Sequence, residues 1–458
     1  MRIKLSEIVK AAGGRLLCGE ETTAVTAFST DSREMKAGVM FVPIRGERTD
    51  GHRYLGMAFD NGAAAAFTEE EPPASELPLW ENRPLVLVND CRAALQKTAA
   101  WYRSQFTIPI VGITGSVGKT TAKEMVAQAL TATGNVHKTA GNQNSQVGVP
   151  ITVCGLKKEH TAAVVEMGVS MPGEMARIAA VVKPTCAVMT NIGVSHIEYM
   201  KTRENILAEK AHIADYLPSD GVLFVNGDDD LLPTLKQTGT HKIVTFGIDA
   251  PCDWRASSLR EADKGTFFTC VGPGGERQEM FVPAAGQHNV RNALAAMAVA
   301  RYLKVPAEDA VRAIGAYKAP AMRQQISECG GLTLIDDSYN ASPDSMRSAL
   351  DVLASRSNPG RKAAVLADML ELGDFSREGH FAVGKYAREK GVELLVAVGE
   401  LAKDIAAGYG DTARWFATNG EAYAFLKEEL QAGDAVLVKG SRGMRTDEIV
   451  TALKEDFT

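Results

Sequence analysis

The segment Ile110-Val111-Gly112-Ile113-Thr114-Gly115-Ser116-Val117-Gly118-Lys119-Thr120-Thr121 restricts the possible folds more than any other stretch of this chain. An apolar run enters a glycine-rich turn, and the helical pattern Ala122 to Leu130 follows directly. Such a strand–turn–helix unit belongs in a parallel sheet with helices on its faces. At the turn, glycines let backbone N–H groups converge on phosphate oxygens, and the helix N-terminus favours an anion. The lysine can reach β- and γ-phosphates and the threonine hydroxyl a Mg²⁺ ion. Residues Gly115, Ser116, Val117, Gly118, Lys119, Thr120 and Thr121 are therefore read as a nucleotide-binding loop. The strict spacing of such loops would put glycine at position 113, where this chain has Ile113.

The pattern around the loop repeats. Ile108 to Ile113, Ala162 to Met167, Ala187 to Thr190 and Val222 to Asn226 are short apolar runs, each followed by Gly, Asn or Asp and then a helical stretch. This alternation predicts a parallel sheet with ligands at the carboxyl ends of its strands. The stretch 249–283 reads as β-hairpins, and helices follow at 289–303 and up to about Tyr317. From about 320 a further α/β pattern begins, with strands expected at 332–336, 363–367, 393–398 and 435–438. Residues before 107 read as a small mixed domain. There a strand-like Val39 to Ile44 leads through a turn, Arg45 to His52, to a helix, and the Pro/Glu-rich 69–84 is a loop on composition. With 458 residues the chain is too long for one core. The expected organisation is α/β in three domains: 1–106, 107–318 and 319–458.

Charge and cysteine usage exclude several classes. A net charge of -6 supplies no basic field for nucleic acid or a membrane surface. The opening Met1 to Gly14 reads as an amphipathic helix rather than a signal peptide, and no apolar run is long enough to span a bilayer. Seven scattered cysteines without a CxxC pair point to free thiols and no zinc site. The expected location is cytoplasmic, with no nucleic acid, no membrane insertion and no obligatory protein partner. Asp228-Asp229-Asp230 reads as a solvated turn.

Other segments recur around the loop in a fixed order. They are Gly141-Asn142-Gln143-Asn144-Ser145, Glu166-Met167-Gly168, Asn191 to Glu198 with His196, Gln287 to Ala293, Arg323 and Ile335 to Pro343. Taken alone, Gly141 to Pro150 is a polar loop, Glu166 a metal-binding or helix-capping carboxylate, Asn289 a helix cap and Arg323 a surface residue. Together they resemble the Mur ligase family, which includes folylpolyglutamate synthetases. The family loop Thr-Gly-x-x-Gly-Lys-Thr/Ser is matched by Thr114 to Thr120, which accounts for Ile113.

The resemblance implies an N-terminal UDP-binding domain, a central ATPase domain and a C-terminal Rossmann-like domain. It assigns Thr120, Glu166 and His196 to Mg²⁺, and Asn289, Asn292 and Arg323 to ATP. Asn142, Asn144 and Ser145 fall near the muramoyl-peptide and phosphate sites. Asp31-Ser32-Arg33 resembles the UDP-binding segment, with Ser32 and Arg33 at the nucleotide end of that substrate. Asp336-Asp337-Ser338-Tyr339-Asn340-Ala341 is the form seen in members that add D-alanyl-D-alanine to a UDP-N-acetylmuramoyl-tripeptide, with Asp337 and Asn340 facing the reaction. The Asp-Asn-Pro-Arg motif of members that add diaminopimelate or lysine is absent from the chain. Lys210 lies close to where several members carry a carbamylated lysine; spacing alone makes it a surface lysine paired with an acid. The alternative activity is that of another amino-acid-adding member or a folylpolyglutamate synthetase, although the latter lack the N-terminal domain.

Overall fold

The computed structural model describes residues 1–46, 49–73, 75, 80–238 and 241–457. Glu47 and Arg48 of the expected turn, and residues 74 and 76–79 of the Pro/Glu-rich loop, lie outside the described residues.

The phosphate-loop strand Ile110–Thr114 sits inside a nine-stranded sheet. From edge to edge its strands are Arg277–Val282, Gly265–Val271, Trp254–Ala262, Lys242–Gly247, Val222–Asn226, Cys186–Met189, Ile110–Thr114, His160–Glu166 and Asn135–Lys138. The seven from Trp254–Ala262 to Asn135–Lys138 are parallel, and the other two close the edge as an antiparallel meander. Side chains alternate between the faces, as the period of two requires. Ile110, Ala163 and Val165 enter one core, whereas Val111, Ile113 and Val164 enter the other. On the second face the alanine-rich helix Gln287–Tyr302 packs closely against the loop helix Lys119–Leu130. Pairing of Glu166 with Ile113 and of Met189 with Thr114 ends three strands at one level. Their carboxyl ends form one edge of the site.

Most expected strands appear within about two residues of their predicted bounds, the strand Val39–Phe41 ending three residues short of the expected Ile44, and Gln287–Tyr302 replaces the expected 289–303. The opening helix is shorter than read: Ile3–Lys4 pairs as a strand with Ala24–Val25, and the helix is Leu5–Ala12. Strands Asn135–Lys138, Lys242–Gly247, Gln325–Cys329 and Arg414–Phe416 were not expected from the sequence, although Ile243 to Phe246 is a short apolar run. Three of them are edge strands of their sheets, where one flank stays open and apolar runs are not required.

A five-stranded sheet in the N-terminal part runs Arg15–Cys18, Leu85–Leu87, Ala65–Thr68, Val39–Phe41 and Ala27–Ser29. Its helix Cys91–Arg103 packs on the central helices Gly148–Cys154 and Glu174–Val182, so one continuous core joins the two parts. The C-terminal sheet runs Gln325–Cys329, Leu332–Asp336, Ala435–Lys439, Lys362–Ala367, Leu394–Val398 and Arg414–Phe416. It is parallel except for the first strand and has a core on each face.

Candidate active site

The loop is held open by backbone conformations and by a clamp from the next strand end. Gly115 and Gly118 have φ of 147° and 83°, and a Cβ on Gly115 would stand 1.9 Å from Thr190 Oγ1. Neither position suits a residue with a side chain. Asn191 accepts the Ser116 N–H through its carbonyl at 3.0 Å and the Val117 N–H through Oδ1 at 2.8 Å. Beyond the clamp begins the helix Lys119–Leu130, whose first-turn N–H groups have no intrahelical acceptor and face an incoming anion. Lys119 curls back over the turn, its Nζ donating to Gly115 O at 2.7 Å and Ser116 O at 3.2 Å. Burial pushes the Lys119 pKa down; Glu166 pulls against that and Arg323 adds to it.

Glu166, buried at its strand end, is the acidic centre beside the loop. Its Oε1 accepts from Thr120 Oγ1 at 3.2 Å and Asn144 Nδ2 at 2.7 Å. Its Oε2 is buried with no hydrogen-bond partner, and the Lys123 ammonium lies 3.9 Å away. An orphaned carboxylate oxygen beside a hydroxyl is a donor set that fits a hard cation such as Mg²⁺. His196 has φ of 62°, and its Nδ1 lies 2.5 Å from Glu371 Oε2 of the C-terminal part. That contact leaves only Nε2 for a metal. The His196 contact, the largest influence, draws the Glu371 pKa down against the opposing effect of burial.

The C-terminal part reaches this centre through residues 323–340. Arg323 donates to Thr120 Oγ1 at 3.3 Å and lies over the Tyr339 ring at 3.8 Å. Asp337 is buried and paired with Lys439 Nζ at 2.6 Å. Lys439 also donates to Asn340 O at 2.9 Å. Burial lowers the Lys439 pKa, Asp337 opposes that, and Arg323 reinforces it. Gln324 links the two sides: its N–H donates to Asp337 Oδ1 at 3.3 Å, while Asn289 Nδ2 donates to its Oε1 at 3.3 Å.

These groups surround one cavity of about 1220 Å³. Ser116 to Thr121, Asn142, Asn144, Ser145, Glu166, His196, Asn289, Arg323, Asp337 and Asn340 all line it. Gly115 and Asn292 do not line it, and Asn292 lies beside Gly118. Ser32 and Arg33 are not brought to the cavity: Ser32 is buried beside Met57, and the exposed Arg33 is tied to Asp31 at 2.6 Å. Lys210 is not the paired surface lysine that spacing suggested. It is 2% exposed, and its side chain makes no hydrogen bond or ion pair among the described residues. Its pKa lies well below the usual lysine value, through burial first and then the nearby Lys119 charge, against Glu209.

Asp228 to Asp230 do form a turn, with Asp230 exposed, but Asp228 and Asp229 turn their carboxylates into the protein. Asp228 accepts from three backbone N–H groups and Arg291, Asp229 holds Ile192 N, and Asp230 pairs with Arg203. The sequence reading assigned no role to Lys123, Gln324 or Lys439. Local spacing could not have shown the role of Lys439, whose partner Asp337 is 102 residues away.

Fold and site together define a nucleotide-binding α/β enzyme in which a second parallel sheet faces the phosphate loop across a shared cavity. Family models agree along the chain: the Mur ligase family catalytic domain matches residues 24–103, the Mur ligase middle domain 113–300 and the Mur ligase glutamate ligase domain 322–442. A Bacillus subtilis UDP-N-acetylmuramoyl-tripeptide–D-alanyl-D-alanine ligase is 35% identical, covering 95% of this chain and 94% of the relative. A crystal structure of MurF from Acinetobacter baumannii superposes with a TM-score of 0.90 at 30% identity, covering 99% of each chain. The MurF ligase of Thermotoga maritima in complex with ADP does so with a TM-score of 0.83 at 26% identity, covering 94% of this chain and 98% of that one. The chain belongs to the Mur ligase family.

Proposed function

We propose that the chain joins D-alanyl-D-alanine to the terminal carboxylate of UDP-N-acetylmuramoyl-tripeptide at the expense of ATP, giving the pentapeptide precursor, ADP and phosphate. The observation that carries this reading is the shared cavity, where the phosphate loop and Glu166 face Asp337 and Lys439. The full-length similarity to a relative named for these substrates supports the particular reaction. ATP is supported by the loop and by the ADP complex of the Thermotoga relative.

A carboxylate acylates poorly because oxide would have to leave. Transfer of the γ-phosphoryl group to that carboxylate gives an acyl phosphate with phosphate as leaving group. Attack by the dipeptide amine then forms the amide. Lys119 would exchange Gly115 O and Ser116 O for phosphate oxygens, stabilising the transferring charge. Thr120, Glu166 and the free nitrogen of His196 would hold Mg²⁺, which when bound neutralises charge on the phosphoryl oxygens. Asn289, Asn292 and Arg323 would hold the nucleotide. Asn142, Asn144 and Ser145 would meet the muramoyl-peptide, Asn340 the dipeptide side, and Ser32 and Arg33 the UDP end. The division of labour follows domains 1–106, 107–318 and 319–458. Lys210, buried with no side-chain partner among the described residues, is a good candidate for carbamylation by CO₂, because burial lowers its pKa and so favours the neutral, nucleophilic amine. This reading implies a cytoplasmic enzyme, where both nucleotide substrates are supplied. No helix among the described residues is long and apolar enough to cross a membrane.

Phosphate release should require ATP, Mg²⁺, UDP-N-acetylmuramoyl-tripeptide and D-alanyl-D-alanine together. Equal turnover with a single amino acid in place of the dipeptide would move the chain to the alternative amino-acid-adding activity.

A further inference from the structure

Before residue 107, only Arg92 among the described residues lines the shared cavity. It occupies the second position of the helix Cys91–Arg103, and its side chain is exposed. Four residues on, and so on the same helix face, Gln96 Nε2 bonds Gln146 O at 3.0 Å and Gln146 Oε1 at 3.1 Å. Gln146 closes the Asn142–Ser145 segment and is fixed in turn by donating to Glu174 O at 2.8 Å. The helix face that carries Arg92 is thus bolted to the cavity wall one turn away.

Several cavity cations are already engaged by protein oxygens. Lys119 is bonded to loop carbonyls, Arg323 to Thr120, Arg356 to Asp263 O and Lys439 to Asp337. The Arg92 side chain makes no hydrogen bond or ion pair among the described residues. Nor does the start of its helix offer these donors to a ligand, since Glu69 takes the Cys91 N–H at 2.8 Å and Asp90 the Ala93 N–H at 2.7 Å. What this helix presents to the cavity is a planar, permanently charged donor array, suited to a carboxylate or phosphate.

We propose that Arg92 binds an anionic group of the UDP-linked substrate and so bridges the N-terminal part to the reaction cavity. The inference rests on the ligase reading above. The substrate offers two such anions, its diphosphate and the carboxylates of its peptide, and both meet a guanidinium in the same way.

Steady-state kinetics of Arg92→Ala and Arg92→Lys, with UDP-N-acetylmuramoyl-tripeptide varied at saturating ATP and dipeptide, test it alongside the wild-type enzyme. A charge-assisted contact predicts KM for that substrate raised about 10-fold or more in Arg92→Ala. KM for ATP should change little, and Arg92→Lys should recover part of the loss. Competition by UDP separates the two anions: a matching rise in the UDP inhibition constant assigns the diphosphate, and an unchanged one assigns a peptide carboxylate. An unaltered KM for the UDP-linked substrate in Arg92→Ala overturns the proposal, as does an equal rise in every KM with a lower melting temperature. A wild-type enzyme inactive on these substrates would instead overturn the ligase reading on which it rests.

Discussion

Lys119 and Lys210 share a residue type and little else. Lys119 has a recognisable local setting, a glycine turn before a helix, and its ammonium already rests on the carbonyls it would leave for phosphate. Lys119→Ala should lower phosphate release by about 100-fold or more, with the melting temperature within a few degrees of wild type. Activity above a few per cent would make the loop lysine structural. Lys210 has no such local signature, since a lysine in Ala208 to His212 looks like any helix lysine. Its burial comes from elements that only the folded chain brings around it. Lys210→Ala should be nearly inactive and regain part of its activity with short carboxylic acids that replace the carbamate oxygens. Near-normal activity of that variant, with no carbamate carbon signal after ¹³C-bicarbonate treatment, would dismiss the modification.

At the scale of elements, most strands buried on both faces were legible because continuous apolar runs encode them, whereas the edge strands Asn135–Lys138, Gln325–Cys329 and Arg414–Phe416 were not. The turn after Val222–Asn226 shows the same limit for polar residues. Three aspartates in a row look solvated, yet Asp228 anchors the backbone of 248–250 and Arg291 of the helix Gln287–Tyr302. Burial raises the Asp228 pKa, but the Ala250 and Ile248 N–H groups and Arg291 outweigh it, and the net shift is downward. A carboxyl held below its unfolded value of 3.8 stabilises the fold above that pH, and the contribution fades as pH falls through the folded pKa. Asp228→Asn should therefore cost about 1–3 kcal/mol at pH 7. The difference in urea midpoint from wild type should shrink on approach to pH 3. A difference independent of pH would mean that shape, not charge, matters there.

Across the whole molecule, the central and C-terminal parts wall the cavity, Arg92 is the one lining residue before 107 among the described residues, and Ser32 and Arg33 stand outside it. An UDP-binding role for Arg33 therefore acts at a distance from the reacting carboxylate. Arg33→Ala should raise KM for the UDP-linked substrate several-fold with kcat nearly unchanged, because it removes binding shared by ground and transition states. A fall in kcat at constant KM would sever Arg33 from the UDP end.

The sequence by itself determined the α/β class, the phosphate loop, most strands and the order of motifs along the chain. Each of these rests on spacing within a few residues, where backbone geometry imposes a period or glycine permits a conformation. Tertiary structure alone decided which distant groups meet and which charges lose water. Arg323 finds Thr120 across 203 residues and Lys439 finds Asp337 across 102, while Lys210 is stripped of partners and Arg92 is turned into the cavity. Burial and pairing depend on what packs against a residue from elsewhere in the chain, and local spacing carries no record of that neighbour.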